Sequence, residues 1–153
     1  MKLIAHRGNV NGPDSEKENR PEQVQYCILQ GYDVEIDLRL DSLTGELYLG
    51  HDEPQYKITW QWLEQYKDNL WIHCKDLNIL TEMSKTTTRY NYFWHQTDSY
   101  TLTSKKIIWA YPDQPYSSHT VIVMPEWNKT NNWDDLKYSD CFGICSDYVE
   151  KLK

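Results

Sequence analysis

The sequence lacks any long apolar run. Its mean hydropathy is −0.79, and no stretch approaches the ~20 apolar residues that a membrane-spanning helix needs. Stable insertion into a membrane is therefore not expected. Basic residues are in deficit: 16 Lys and Arg stand against 23 Asp and Glu, a net charge of −7. An acidic surface attracts neither nucleic acid nor an anionic membrane, so neither is expected as the main partner, although a locally basic pocket is compatible with this balance. Glycine and proline are sparse, at six each, and no linker, repeat or low-complexity tract appears. The four cysteines (Cys27, Cys74, Cys141, Cys145) form no CxxC pair, which argues against a zinc knuckle. The N-terminal Met1-Lys2-Leu3-Ile4-Ala5-His6-Arg7 reaches charge after three apolar residues, far short of a secretory signal core. The expectation is a cytoplasmic chain with reduced thiols. Asn128-Lys129-Thr130 fits a glycosylation sequon, which has no meaning without a secretory route.

Aromatics make up 14% and hydrophobic residues 39% of the 153 residues. That is enough for one core, so residues 1–153 are expected to form a single domain. Short apolar runs alternate with polar or helical stretches. Residues 3–5 predict a first strand. Residues 21–31 predict a helix, with Pro21 in its first turn, Val24, Cys27 and Ile28 as its apolar stripe, and Gly31 as its stop. Residues 32–38 alternate strictly, placing Val34, Ile36 and Leu38 on one strand face and Asp33, Glu35 and Asp37 on the other. Residues 46–50 predict a short strand leading to His51-Asp52. A helix is expected over 59–67 with Thr59 as N-cap, and a further short one over 77–84. Strands are expected at 70–75, 92–95, 106–110, 120–124 and 141–145, with a helical turn over 132–138. Strands alternating with helices point to a parallel sheet with crossovers.

Four clusters carry chemistry. His6-Arg7-Gly8 follows the first strand; an imidazole moves protons, and a guanidinium holds phosphate oxygens in pairs. Glu35 and Asp37 share a strand face with their Cβ atoms about 6–7 Å apart. Two carboxylates aimed at one point repel unless a cation lies between them, and a divalent metal is the usual answer. His51-Asp52 follows a glycine. His73 and Lys75 stand two apart at the end of a strand. Each cluster alone is more often something plain: a surface loop, a solvated sheet face, a turn and a hydrogen-bonded core histidine, respectively. Together they fall at or just beyond the C-terminal ends of candidate parallel strands, which converge on one mouth in a parallel barrel.

The motif order Ala5-His6-Arg7-Gly8, Glu18-Asn19-Arg20-Pro21-Glu22, Val34-Glu35-Ile36-Asp37-Leu38 and Gly50-His51-Asp52 resembles the glycerophosphodiester phosphodiesterase family of the phosphatidylinositol phospholipase C-like superfamily. The likeness is close over the first third of the chain. Ile72-His73-Cys74-Lys75 falls where that family carries an Ile-Glu-Ile-Lys-like strand, and Ile144-Cys145-Ser146-Asp147-Tyr148 is similar to its closing strand. The resemblance implies an α/β fold, a compact TIM-type barrel, and a metal-assisted phosphodiesterase acting on a small-molecule phosphodiester. It also implies general acid–base roles for His6 and His51, phosphate binding by Arg7 with Lys75 close by, and Mg²⁺ or Ca²⁺ at Glu35 and Asp37.

Three departures follow. His73 stands where the family has its third acidic ligand, so Mn²⁺ or Zn²⁺ gains ground, because imidazole suits hard cations poorly. Residues 53–58 lead almost at once into a helix, where the family carries an extra segment. The chain is short: a barrel of about 250 residues spends about 31 per strand–helix unit, against about 19 here. Helices are therefore expected after the first three strands, with loops or single turns in the second half. Bare strands expose apolar surface. Either aromatics (Tyr92, Phe93, Trp94, Trp109, Tyr111, Trp127, Trp133) cover that wall, or a second copy does, giving a homodimer. Glu18, Asn19, His95, Trp109 and Glu126 are candidate pocket residues, and His95 or Glu126 is an alternative third ligand. Three other readings remain at this stage: a barrel glycosidase using Glu35 and Asp37, an inactive phosphate- or glycerophosphate-binding relative, and a lysophospholipase D-like activity on lipid headgroups.

Overall fold

The computed structural model of the chain describes residues 1–153. In chain order the elements are β1 (Lys2–His6), α1 (Pro21–Leu29), β2 (Asp33–Leu40), β3 (Leu47–Leu49), β4 (Tyr56–Ile58), α2 (Trp60–Tyr66), β5 (Leu70–Cys74), α3 (Leu77–Lys85), β6 (Tyr92–Phe93), β7 (Tyr100–Leu102), β8 (Ile108–Ala110), β9 (Thr120–Val123), α4 (Trp133–Lys137) and β10 (Gly143–Ser146). Two 3-10 turns, Pro125–Trp127 and Val149–Leu152, flank the last helix and strand. No helix is long and apolar enough to cross a membrane.

All of these strands belong to one curled, mixed sheet. Its parallel wall runs β6-β5-β2-β1-β10-β9-β8. Helices α1, α2 and α3 follow the first three wall strands, and the later connections carry no helix longer than the single short α4, as the chain length predicts. The expectation of a closed TIM-type barrel is corrected in one respect. No strand ladder joins β6 to β8, so the wall curls without closing. The segment before β8 stitches this seam instead: the Ser104 amide donates to the Tyr92 carbonyl at 2.8 Å, and the Ser104 hydroxyl donates to the Tyr90 carbonyl at 2.8 Å.

Wall strands are buried on both faces, and their alternation sorts side chains into two cores. Val34, Ile36 and Leu38 of β2 and Leu70, Ile72 and Cys74 of β5 pack outward with Val24 and Cys27 of α1, Leu63 of α2, and Ile79 and Met83 of α3. Each such side chain contributes about 1.5–3 kcal/mol when buried. Ile4, Trp71, Phe93, Trp109, Val121, Val123 and Cys145 form the second cluster, inside the curl. Phe93 and Trp109, expected to cover the outer wall, therefore fill the interior, with ring centroids 4.5 Å apart. Beneath them, Asp33 accepts from Trp71 Nε1 at 3.1 Å and pairs with Lys2. All four thiols are free and buried; desolvation pushes Cys27 up to about 11 and Cys74 to about 12.

β3 corrects another expectation. It is not a parallel wall strand but pairs antiparallel with the end of β2, and β4 pairs antiparallel with β3. Residues 53–58, read as leading straight into a helix, thus complete a hairpin. Because β3 runs back down β2, from Leu47 opposite Leu40 to Leu49 opposite Leu38, it delivers His51 to the level of Asp37. The Gly50 amide donates to the Asp37 carbonyl at 3.0 Å. Arg39 pins this return by donating from Nε to the Gly50 carbonyl at 2.8 Å and from Nη2 to the His51 carbonyl. Gly50 has φ +153°, and a Cβ there would lie 2.1 Å from the Glu53 carbonyl oxygen, so no other residue fits this turn.

Candidate active site

The inward faces of β1, β2 and β5 carry His6, Glu35, Asp37 and His73 at neighbouring registers: His6 beside Glu35, and Asp37 beside His73. One potential ligand atom each from Glu35, Asp37 and His73 lies within 4.8 Å of the others. His73 Nδ1 is 3.6 Å from Glu35 Oε1 and 3.5 Å from Asp37 Oδ1. Its other nitrogen, Nε2, is 2.8 Å from the His95 carbonyl. A carbonyl only accepts, so Nε2 donates to it, which leaves Nδ1 facing the two carboxylates. This is the outer-shell arrangement that orients a metal-ligating imidazole. Phe93 stacks on the ring at 5.1 Å and fixes its plane.

The donor set fits a divalent cation. Asp37 is fully buried, yet its Oδ1 has no hydrogen-bond partner. The other oxygen is committed: Asp37 Oδ2 accepts from Asn19 Nδ2 at 2.9 Å and faces Arg7 Nε at 3.2 Å. Burial opposes ionisation of Asp37, but Arg7, Lys75 and His73 nearby and the Asn19 hydrogen bond outweigh it, holding the carboxyl below its ordinary value. Lys75 Nζ lies 3.6 Å from Asp37 Oδ1. The expectation that His95 or Glu126 replaces His73 as third ligand is not what the geometry offers. The His95 backbone orients His73, and the His95 ring is tied by Nε2 to the Asp98 carbonyl.

His6 and His51 each lean on a carboxylate through Nδ1. His6 Nδ1 is 2.8 Å from Asp147 Oδ1, and His51 Nδ1 is 2.7 Å from Asp52 Oδ1. Each ring therefore presents Nε2; that of His6 lies 4.0 Å from Glu35 Oε2. Burial disfavours the His6 cation, but the hydrogen bond to Asp147 and the charge of Glu35 win, and its pKa is raised. The His51–Asp52 pair is more open, with Asp52 almost fully exposed.

Arg7 closes the floor. Its backbone sits at φ +53°, an uncommon conformation for a long side chain. That twist aims its amide at Glu35 Oε2, 3.2 Å away. Nη1 donates to Glu18 Oε2 at 3.2 Å. Asn19, at φ +59°, grips Asp37 twice, donating to Oδ2 and accepting from the Asp37 amide at 2.9 Å.

A cavity of about 160 Å³ is lined by His6, Arg7, Glu35, His51, His73 and His95, together with Trp109, Tyr111 and Trp127. Of the candidate pocket residues, His95 and Trp109 line it. Glu18 and Asn19 lie behind it, holding Arg7 and Asp37. Glu126 is turned away: it accepts from the Ser146 hydroxyl at 2.9 Å and from the Asp147 amide at 2.8 Å, fixing the end of β10. Sequence reasoning missed Asn9 and Asp147. Asn9 donates to Glu18 at 2.9 Å and to Asp147 Oδ1 at 2.8 Å, linking the acids behind Arg7 and His6. The signal for Asp147 was its place in the closing-strand motif.

The sequence matches no family model and no curated protein. The fold, by contrast, is similar to a solved crystal structure, that of the glycerophosphodiester phosphodiesterase from Agrobacterium tumefaciens str. C58. The match has a TM-score of 0.58 and 14% identity, and covers 99% of this chain and 97% of that one. The likeness to glycerophosphodiester phosphodiesterases carried by the early motifs thus extends through the fold of the whole chain.

Proposed function

We propose that the chain is a metal-assisted phosphodiesterase that cleaves small glycerophosphodiester-like substrates to an alcohol and a phosphomonoester. One observation carries this reading: Glu35 and His73, which cluster with the buried Asp37 as a donor set, line a single cavity with the carboxylate-backed His6 and with His51. A divalent cation held by Glu35, Asp37 and His73 would neutralise charge on the non-bridging phosphate oxygens. Mg²⁺ and Ca²⁺ suit the two carboxylates, whereas the imidazole shifts the balance toward Mn²⁺ or Zn²⁺.

The side chains do the rest. Arg7 is held by Glu18 and Asp37 through Nη1 and Nε, which leaves Nη2 for a phosphate oxygen. Lys75 adds positive charge beside Asp37. One histidine takes the proton from the attacking hydroxyl, of water or of the substrate itself, and the other gives a proton to the leaving alkoxide. Asp147 and Asp52 hold the two rings in the tautomer that presents Nε2. If a substrate hydroxyl attacks, the first product is a cyclic phosphate. A second copy of the chain is a further proposed partner. An uncovered apolar groove lined by Tyr100, Leu102, Ile108 and Tyr116 on the outer side of β7 and β8 is the surface it would cover.

The test is release of phosphomonoester from glycerophosphodiesters and a chromogenic diester with Mg²⁺, Ca²⁺, Mn²⁺ or Zn²⁺, with chelator, and with His6→Ala. Metal-dependent turnover lost in the variant is expected. Phosphate binding without turnover under any metal would favour an inactive binding relative. Turnover of lysophospholipids alone would favour the lipid-headgroup activity.

A further inference from the structure

The chain reverses directly after β1. The Asn9 amide donates to the His6 carbonyl at 2.9 Å, and the two residues between them have positive φ, Arg7 at +53° and Gly8 at +83°. Positive φ at both central positions is the pattern of a type I′ turn. It brings Asn9 back beside the strand end that carries His6. In the proposed reaction His6 carries a proton and Arg7 holds the phosphate. Asn9 lines no part of the catalytic cavity and is only 3% exposed.

Its side chain serves the two acids behind those groups. Asn9 Nδ2 donates to Glu18 Oε1 at 2.9 Å and to Asp147 Oδ1 at 2.8 Å. The other oxygen of Glu18 accepts from Arg7 Nη1 at 3.2 Å, and the same oxygen of Asp147 meets His6 Nδ1 at 2.8 Å. An unbroken run of hydrogen bonds therefore joins the guanidinium to the imidazole, through Glu18, Asn9 and Asp147 in turn. Two carboxylates brought to one point repel. A primary amide carries two N–H donors on one nitrogen, one for each acid. Being neutral, it does not compete with Arg7 or His6 for their charge. A hydroxyl offers one donor and an ionised carboxylate none. The amide is itself held, because its Oδ1 accepts from the Asp14 backbone amide at 3.1 Å, so both donors point in fixed directions.

We infer that Asn9 is a positioning residue that ties the phosphate-holding Arg7 to the proton-carrying His6, so that neither side chain is placed independently of the other. A reacting phosphate needs both at once, in one geometry. The inference rests on the phosphodiesterase reading for the roles of Arg7 and His6. The run of hydrogen bonds stands apart from that reading.

The experiment is a set of double-mutant cycles with two readouts. One is kcat on a chromogenic diester with metal. The other is affinity for inorganic phosphate in chelator, read by calorimetry, which needs no turnover. Glu18→Gln and Asp147→Asn each keep the shape of the acid and remove its charge. With Asn9 present, each is expected to move both readouts. Glu18→Gln should lower kcat although it stands on the Arg7 side, and Asp147→Asn should weaken phosphate binding although it stands on the His6 side. Each cross-effect should be about fivefold, the coupling found within one hydrogen-bond network. In an Asn9→Ala background both cross-effects should vanish, leaving Glu18→Gln to act on phosphate alone and Asp147→Asn on kcat alone. Asn9→Leu, apolar and close in shape, also removes both donors and takes the place of Asn9→Ala if that variant does not fold. Cross-effects that persist without the amide, or are absent with it, overturn the positioning role and leave the phosphodiesterase standing. A wild type that binds phosphate and turns over no diester overturns the phosphodiesterase. The effect of Asp147→Asn on phosphate binding then upholds the positioning role if it is lost with the amide, and overturns it otherwise.

Discussion

His6 and Asp147 stand 141 positions apart in the chain, yet their side chains meet at 2.8 Å. They meet because β1 and β10, the first and last wall strands, lie side by side with Ala5 opposite Ser146. Asp147→Asn keeps the shape and removes the charge. We expect kcat to fall by about 10²-fold, the loss of a correctly held proton carrier. The limb of the pH–rate profile that belongs to His6 should move to lower pH, because the hydrogen bond that raises its pKa is weakened. An unmoved profile would sever Asp147 from the chemistry.

His6 should also leave a mark on stability. Its folded-state pKa is raised above the ordinary 6.5, so the folded chain binds this proton more tightly than the unfolded one. The stabilisation is fully present below pH 6.5 and is lost as pH rises through the folded value. In chelator, the melting-temperature gap between wild type and His6→Gln should therefore be wider at pH 5.5 than at pH 9. A gap that grows with pH contradicts the ion pairing.

His73→Glu replaces a borderline ligand by a hard one. Metal titration by calorimetry should show tighter Mg²⁺ and Ca²⁺ binding, about tenfold, and weaker Zn²⁺ binding. Unchanged preference would mean that His73 is not a ligand.

Asn19 supports Asp37 from both sides while sitting at φ +59°. Asn19→Gly keeps that backbone conformation and removes both hydrogen bonds. Urea unfolding should show a loss of about 2 kcal/mol. A loss under about 0.5 kcal/mol would mean that Arg7 and Lys75 suffice to hold the carboxylate.

Gly50→Ala forces a Cβ against the Glu53 carbonyl. The turn must open, which should cost about 2 kcal/mol or more and displace His51. Reduced kcat with intact metal affinity is the expected pattern, since Glu35, Asp37 and His73 lie on other strands.

Much of this arrangement is legible in the chain. Strict alternation in β2 separates Val34, Ile36 and Leu38 from Glu35 and Asp37, and period two alone puts the acids on one face. Thr59 caps α2 as read, accepting from the Trp62 amide at 3.1 Å. What was not legible depends on distant neighbours. β4 and β7 are three residues each with a polar residue, Lys57 or Thr101, in the middle; hairpin pairing makes them strands, not burial. Phe93 and Trp109 lie on strands apolar on both faces, so periodicity cannot say which face looks inward. Asn9 and Asp147 are small polar residues whose roles exist only once β10 docks beside β1.

The seam between β6 and β8 has a consequence for how the molecule breathes. The rest of the wall is laced by backbone ladders, and opening it means unfolding the domain. Here a serine and a pair of rings in tilted contact hold the edges, so amides at 92–93 and 108–110 should exchange with solvent deuterium through local opening while those of β1 and β2 wait for global unfolding. Phe93 is part of that edge and also the plate on which His73 rests. Each time the seam parts, the imidazole loses its backing. If Glu35, Asp37 and His73 hold a cation as proposed, its capture and seam closure draw on one equilibrium, and the bound ion should slow exchange on a wall strand that it never touches.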